Sequence, residues 1–126
     1  IKIETIPGPS ALVAALVVSG LPTNSFLFLG FLPKKSGKAK TILKNTKSVL
    51  STLSQCKSVI LYESPHRIVK TLQLIEDVFG EIDVVIAREL TKIHEEIRRE
   101  KVSLAINHFM QNAPRGEFTL LFSINQ

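Results

Sequence analysis

Apolar and polar residues alternate from Ile1 to Ile6, the period-two pattern of a half-buried strand. Ile6-Pro7-Gly8-Pro9-Ser10 then turns the chain, and Pro9 or Ser10 opens a helix whose interior, Ala11 to Val18, is apolar all round. Such a helix is expected to be buried on most faces, and Gly20 followed by Pro22 stops it. Phe26 to Phe31 is a continuous apolar run ended by Pro33, which predicts a strand covered on both faces, followed by an exposed basic loop from Lys34 to Lys38. Beyond it Ala39, Ile42, Leu43, Val49, Leu50 and Leu53 share one arc of a helical wheel, with Lys40, Lys44 and Lys47 opposite: an amphipathic helix with a basic outer face.

Val59 to Tyr62 reads as another short buried strand. Ser64 and Pro65 then have the character of an N-cap and first helical residue, and Ile68, Leu72, Ile75 and Phe79 mark the buried stripe of a helix closed by Gly80. Asp83 to Ala87 is a third apolar strand, running into the polar stretch from Arg88 to Lys101. A last helix covers Val102 to Met110, a turn follows at Ala113 to Gly116, and Phe118 to Ile124 is the final strand. Strands alternating with helices predict α/β architecture, a central sheet covered by helices, and with no repeat or linker the span 1–126 is one domain.

Composition narrows the class. A chain of 126 residues, 44% hydrophobic and 21% charged, can bury a core of its own and is not a disordered chain. The longest apolar run, Ala11 to Val18, falls far short of the roughly 20 residues that cross a bilayer, and nothing brackets it as a signal peptide. The single cysteine, Cys56, forms no internal disulfide and no cysteine-based zinc site, which fits a cytoplasmic protein. The first residue is Ile in a strand already under way, which suggests a piece of a longer polypeptide.

Charge is unevenly spread. Residues 1–62 hold eight lysines and one acidic residue, a net +7, and no acidic side chain occurs between Glu4 and Glu63; the remainder holds eight basic and ten acidic side chains. A basic half of this kind suits a polyanion, although a solvated lysine-rich helix face has the same composition.

In an α/β sheet, functional groups gather beyond the carboxyl ends of strands, where loops meet helix N-termini. Four segments qualify here: Pro7 to Ser10, Pro33 to Lys38, Tyr62 to Arg67 and Arg88 to Glu96. The third places His66 and Arg67 in an expected first helical turn, where the dipole disfavours cations, so an anionic ligand or a pairing with Glu63 or Glu89 would offset the cost. No Gly-rich phosphate loop is present, His94-Glu95 lacks metalloprotease spacing and no metal site is expected. His108 reads as surface or core filler and Cys56 as an inert thiol. Phe26, Phe28 and Phe31, in an apolar run expected to be buried, do not suggest an exposed stacking platform.

Taken together, five segments in order carry a resemblance: Ile6-Pro-Gly-Pro-Ser-Ala11, Gly30-Phe-Leu-Pro33 with its lysines, Tyr62-Glu-Ser-Pro-His-Arg67, Ala87-Arg-Glu-Leu-Thr-Lys92 with His94-Glu95, and Gly116-Glu-Phe118. Over essentially the whole chain, the sequence resembles the carboxyl-terminal half of the ribosomal RNA small-subunit methyltransferase I group, in the tetrapyrrole (corrin/porphyrin) methylase superfamily. The resemblance implies a mostly mixed sheet of about five strands and a second domain, absent from this chain, that closes a cleft over S-adenosylmethionine. It implies methylation of a cytidine ribose 2′-hydroxyl in 16S ribosomal RNA, and a homodimer. Matched residue by residue, Pro9, Ser10, Ala11, Tyr62, Glu63, Leu90, Glu117 and Phe118 fall at cofactor positions. Glu100 stands where the pattern has a glycine, which puts the turn before the last helix in question.

Methyl transfer from a sulfonium needs alignment and a hydroxyl that loses its proton. Glu63, His66 and Glu89 are the candidate proton acceptors in this half. The phosphates of RNA would lie on Lys34, Lys35, Lys38, Lys40, Arg67 and Arg99. Methylation of a corrin or porphyrin precursor, or a non-catalytic basic module that binds ribosomal RNA, are the alternatives.

Overall fold

The structure, a computed structural model, describes residues 11–22, 24–53, 57–88 and 95–124. Its elements are α1 (Ala11–Ser19), β1 (Phe26–Phe31), α2 (Ser36–Thr52), β2 (Ser58–Glu63), α3 (Ile68–Phe79), β3 (Asp83–Arg88), β4 (Glu96–Lys101), α4 (Val102–Gln111) and β5 (Phe118–Ser123). The strands make one five-stranded sheet in the order β1-β2-β5-β3-β4. β1 runs parallel to β2, and the remaining pairs are antiparallel, so the sheet is mixed as expected. The strand expected over Ile1 to Ile6 lies outside the described residues.

The last strand is the central one. Phe118–Ser123 is buried at every position because helices cover both faces of the sheet there, which is why its sequence is nearly continuous in apolar residues. On one face Val59, Leu61, Val84, Ile86, Leu120 and Phe122 pack beneath α2, α3 and α4. On the other, Ile60, Val85, Ala87 and Leu121 meet Ala15 and Leu16 of α1. That second layer is thin. One stripe of α1 satisfies it, and Val13, Val17 and Val18 remain outside it, 53%, 70% and 38% exposed, where the all-apolar sequence predicts burial on most faces.

Other departures have local causes. α2 starts at Ser36, so Lys38 is helical rather than part of a loop, and the buried stripe is Ala39, Leu43, Thr46 and Leu50. Thr46 is tolerated there because its hydroxyl donates to the Ile42 carbonyl (2.8 Å), while Val49 and Leu53 of the expected arc stay exposed. α3 begins at Ile68: residues 65–67 form a turn closed by the Arg67 N–H on the Ser64 carbonyl (3.1 Å), and Arg67 occupies the N-cap position.

β4 is a strand where only a polar stretch is expected. Its six residues contain one apolar side chain, Ile97, and it holds the sheet edge through backbone pairing with β3 and through charge. Arg88 meets Glu96 at 3.4 Å, Lys101 meets Asp83 at 3.1 Å, and Arg98 grips Glu100 through Nε and Nη2 at 2.8 and 3.0 Å. Glu100 therefore belongs to a strand, and α4 follows directly at Val102 with no turn that would require glycine.

Candidate functional site

Register brings the expected cofactor segments to one end of the sheet. Glu63, the last residue of β2, lies opposite Phe118, the first of β5, and Phe118 lies opposite Arg88, the last of β3. Side-chain alternation then decides what each can present. Glu63 and Phe118 point into the helical layer, 1% and 2% exposed, and the Phe118 ring packs edge-on against Phe109 with centroids 5.3 Å apart. Only their backbone is available to a ligand. Tyr62 points to the opposite face and is half-buried, and Glu117 is exposed. Pro9, Ser10, Glu89 and Leu90 lie outside the described residues; Ala11 opens α1. Beside this sheet end a groove of about 270 Å³ is bordered by Arg88, Glu96, His108, Asn112, Arg115 and Phe118. His108, expected to be filler, thus lines the groove next to the expected cofactor positions.

Glu63 is buried, and its carboxylate is engaged within the fold. Its two oxygens accept from the Thr71 hydroxyl at 2.6 Å and from the Ser64 N–H at 2.9 Å, so the carboxylate ties the end of β2 to α3 and to the following turn. His66 is exposed on that turn. Arg67 donates through Nη1 and Nη2 to the Leu32 and Pro33 carbonyls at 3.2 and 2.7 Å, while Glu89, one of its two expected partners, lies outside the described residues. Arg67 braces the segment after β1 from behind.

That braced segment carries Lys34, Lys35 and Lys38, all exposed. Two other cations of the basic half reach partners within the fold. Lys40 lies 3.9 Å from Asp77, and Lys47 donates to the Val78 carbonyl at 3.0 Å, answering the unpaired carbonyls in the last turn of α3. Arg99, also exposed, donates to the Val18 carbonyl and so links β4 to the end of α1. Among the expected phosphate-binding cations, Lys34, Lys35 and Lys38 are exposed close together in the chain just beyond β1.

The aromatic run is where the sequence reading is overturned. Phe26, Phe28 and Phe31 are 38%, 42% and 64% exposed, because α1 covers the middle of its sheet face and stops short of β1. Phe28 and Phe31 would face opposite sides of a regular strand. A register shift between Phe28 and Gly30, with Gly30 at φ 65°, places them opposite Ile60 and Tyr62, and so on the same side. The Tyr62 ring lies 5.1 Å from that of Phe28 and 5.7 Å from that of Phe31. Leaving Phe31 so exposed forgoes on the order of 1–2 kcal/mol of burial. The GlyPhe pair flanked by apolar residues is the sequence signal of the bulge.

Residues 1–105 match the family of Tetrapyrrole (Corrin/Porphyrin) Methylases. The chain belongs to this family. Among its relatives, the "Ribosomal RNA small subunit methyltransferase I" of Thermotoga maritima is 44% identical over 98% of the chain and 52% of its own length. The protein of the same name from Hydrogenobaculum sp. is 48% identical over 98% of the chain and 51% of its own length. The chain thus spans about half the length of the curated relatives it matches. Its fold recurs in a cobalt precorrin-4 methyltransferase (TM-score 0.68, 17% identity, 100% of this chain and 54% of the other). It recurs also in a uroporphyrin-III C-methyltransferase from Thermus thermophilus complexed with S-adenosyl homocysteine (TM-score 0.60, 11% identity, 98% and 54%). Among the described residues, no helix is long and apolar enough to cross a membrane.

Proposed function

We propose that this chain is the carboxyl-terminal half of an S-adenosylmethionine-dependent methyltransferase acting on the 2′-hydroxyl of a cytidine ribose in 16S ribosomal RNA, as a homodimer in the cytoplasm. The observation that carries the reading is identity of 44% and 48% along 98% of the chain with proteins named ribosomal RNA small subunit methyltransferase I. The exposed lysines beyond β1 support it, since an extended RNA strand needs cations spaced along a surface. A corrin or porphyrin substrate draws on neighbours that share the fold at 11–17% identity, which speaks for architecture alone.

The sheet end fits one side of an adenosine group. Three adjacent strand ends offer backbone donors and acceptors, and the groove beside Phe118, about 270 Å³, is near the lower size of small-molecule clefts. The backbone at Tyr62, Glu117 and Phe118, with Leu90 and the Pro9-Ser10-Ala11 turn, would hold the cofactor, which supplies a methyl group on a sulfonium. Glu63 keeps the β2 end and its turn in place. His66 presents an imidazole on that turn and Glu89 follows β3 in the chain, and either could accept the hydroxyl proton.

The test uses the full-length protein, labelled S-adenosylmethionine and small ribosomal subunits. Label recovered in 2′-O-methylcytidine is the expected result. Transfer to a tetrapyrrole instead, or cofactor binding with no transfer to RNA, refutes the reading. Binding of S-adenosylmethionine by residues 1–126 alone should be weak; tight binding there contradicts a cleft shared between two halves.

A further inference from the structure

We propose that Phe28, Phe31 and Tyr62 form a platform on which an unpaired base of the RNA stacks, while Lys34, Lys35 and Lys38 hold the phosphates next to that base. The inference rests on the RNA methyltransferase reading and goes beyond it by naming where, and by what chemistry, the strand is gripped beside the cofactor positions, Tyr62 lending its backbone to the cofactor and its ring to the platform.

Three observations carry it. The rings share one face of the sheet only because of the bulge at Gly30, whose φ of 65° is a conformation that other residues rarely adopt. They are pre-packed on one another, Tyr62 against Phe28 at 71° and against Phe31 at 56°, so they present a fixed apolar surface whose ordering cost is already met in folding. Phe31 nevertheless remains 64% exposed at the outer end of the cluster. Charge settles which occupant suits it. Phe31 is followed by Leu32, Pro33 and the exposed Lys34 and Lys35, with Lys38 in the first turn of α2, and Arg67 fixes the connecting backbone through the Leu32 and Pro33 carbonyls. The three residues from Phe31 to Lys34 reach at most about 10 Å, so the ring and the first of these cations are near neighbours. Aromatic faces beside a basic track are the means by which single-stranded nucleic acid is held, stacking taking the base and lysines the backbone.

The experiment measures binding of the full-length protein to a single-stranded oligoribonucleotide carrying 2-aminopurine, across a salt series. Phe31→Ala should weaken binding by about tenfold, as loss of one base–aromatic stack does, and leave the salt slope unchanged. Phe31→Tyr should retain affinity and the quenching of 2-aminopurine fluorescence on binding. Replacing Lys34, Lys35 and Lys38 with Gln should flatten the salt slope by about 2, at roughly 0.7 per phosphate contact. The platform is refuted if Phe31→Ala binds as the parent does, if an abasic oligomer binds as tightly as an intact one, or if Phe31→Ala dissociates the dimer in sedimentation, which would assign the rings to a subunit interface. Methyl transfer by the parent protein separates the two levels: transfer to small subunits that is indifferent to Phe31 sinks the platform alone, and absence of transfer sinks the functional reading beneath it.

Discussion

Thr71→Val tests the assignment of Glu63 to structure rather than to proton transfer. Both residues are 1% exposed, and the Thr71 hydroxyl donates to the carboxylate over 2.6 Å. Valine has nearly the same shape, so the substitution removes one donor without opening a cavity. Water cannot replace it at a site so closed. A hydrogen bond to a charged group contributes about 1.5–3 kcal/mol, so a loss near 2 kcal/mol is expected, a large share of the roughly 5–15 kcal/mol that holds a domain folded. In urea, with a slope of about 2 kcal/mol per molar, the midpoint should fall by about 1 M and the slope stay constant. Glu63→Met in the same background removes the charge that was left short of a partner and should recover part of the loss, since replacing both members of a polar pair by apolar groups of like shape is nearly neutral. A loss under about 0.5 kcal/mol for Thr71→Val, or simple additivity in the double variant, refutes the account.

The carboxylate of Glu81 is held below the ordinary glutamate range, first by the Ser103 hydroxyl and next by the Ser103 N–H, which donates at 3.0 Å in the first turn of α4. A depressed acid stabilises above its unfolded value and loses that contribution as pH falls through its folded one; the protection factors of amides in the first turn of α4, with the intrinsic pH dependence of exchange divided out, should therefore fall on acidification, and Glu81→Gln should abolish that dependence. Arg67→Ala removes donors from the Leu32 and Pro33 carbonyls and should cost on the order of 1–3 kcal/mol and expose residues 32–35 to proteolysis, with Arg67→Lys a poor substitute because an ammonium lacks the two-pronged geometry. Gly30→Val forces a side chain into φ 65° at a cost of about 1–2 kcal/mol and should separate Phe31 from Tyr62, read as a change in near-ultraviolet circular dichroism.

Most elements were legible because hydrophobic period and punctuation agree. Phe26–Phe31, Asp83–Arg88 and Val102–Gln111 fall within a residue of their expected bounds. β4 was hidden because a strand at the sheet edge needs only backbone partners, and its side chains are charged for reasons of solubility and pairing with Arg88 and Asp83. The start of α3 was misplaced because Ser64-Pro65 opens turns as readily as helices, and the Glu63 carboxylate competes for the Ser64 N–H. At the candidate site, segment order along the chain indicated which strand ends matter, yet alternation within each strand decides which side chains face out. That alternation set Glu63 inward and Tyr62 outward. For the phenylalanines an apolar run could not reveal exposure, since burial depends on how far α1 extends across the sheet.

Among the described residues, the two edge strands of the sheet carry opposite safeguards against self-association. β4 is guarded by its charges, which repel or misalign any incoming strand. β1, with the sequence FLFLGF, has no charge and is the kind of short segment that templates cross-β stacking. Its protection is positional: the Gly30 bulge distorts the free edge, and Pro33 with Lys34 and Lys35 stands as a gatekeeper immediately downstream. Substitutions that straighten this strand or neutralise those lysines carry a solubility penalty as well as any loss of binding. Purification of such variants calls for low concentration and a check for thioflavin-positive aggregates before any affinity is interpreted.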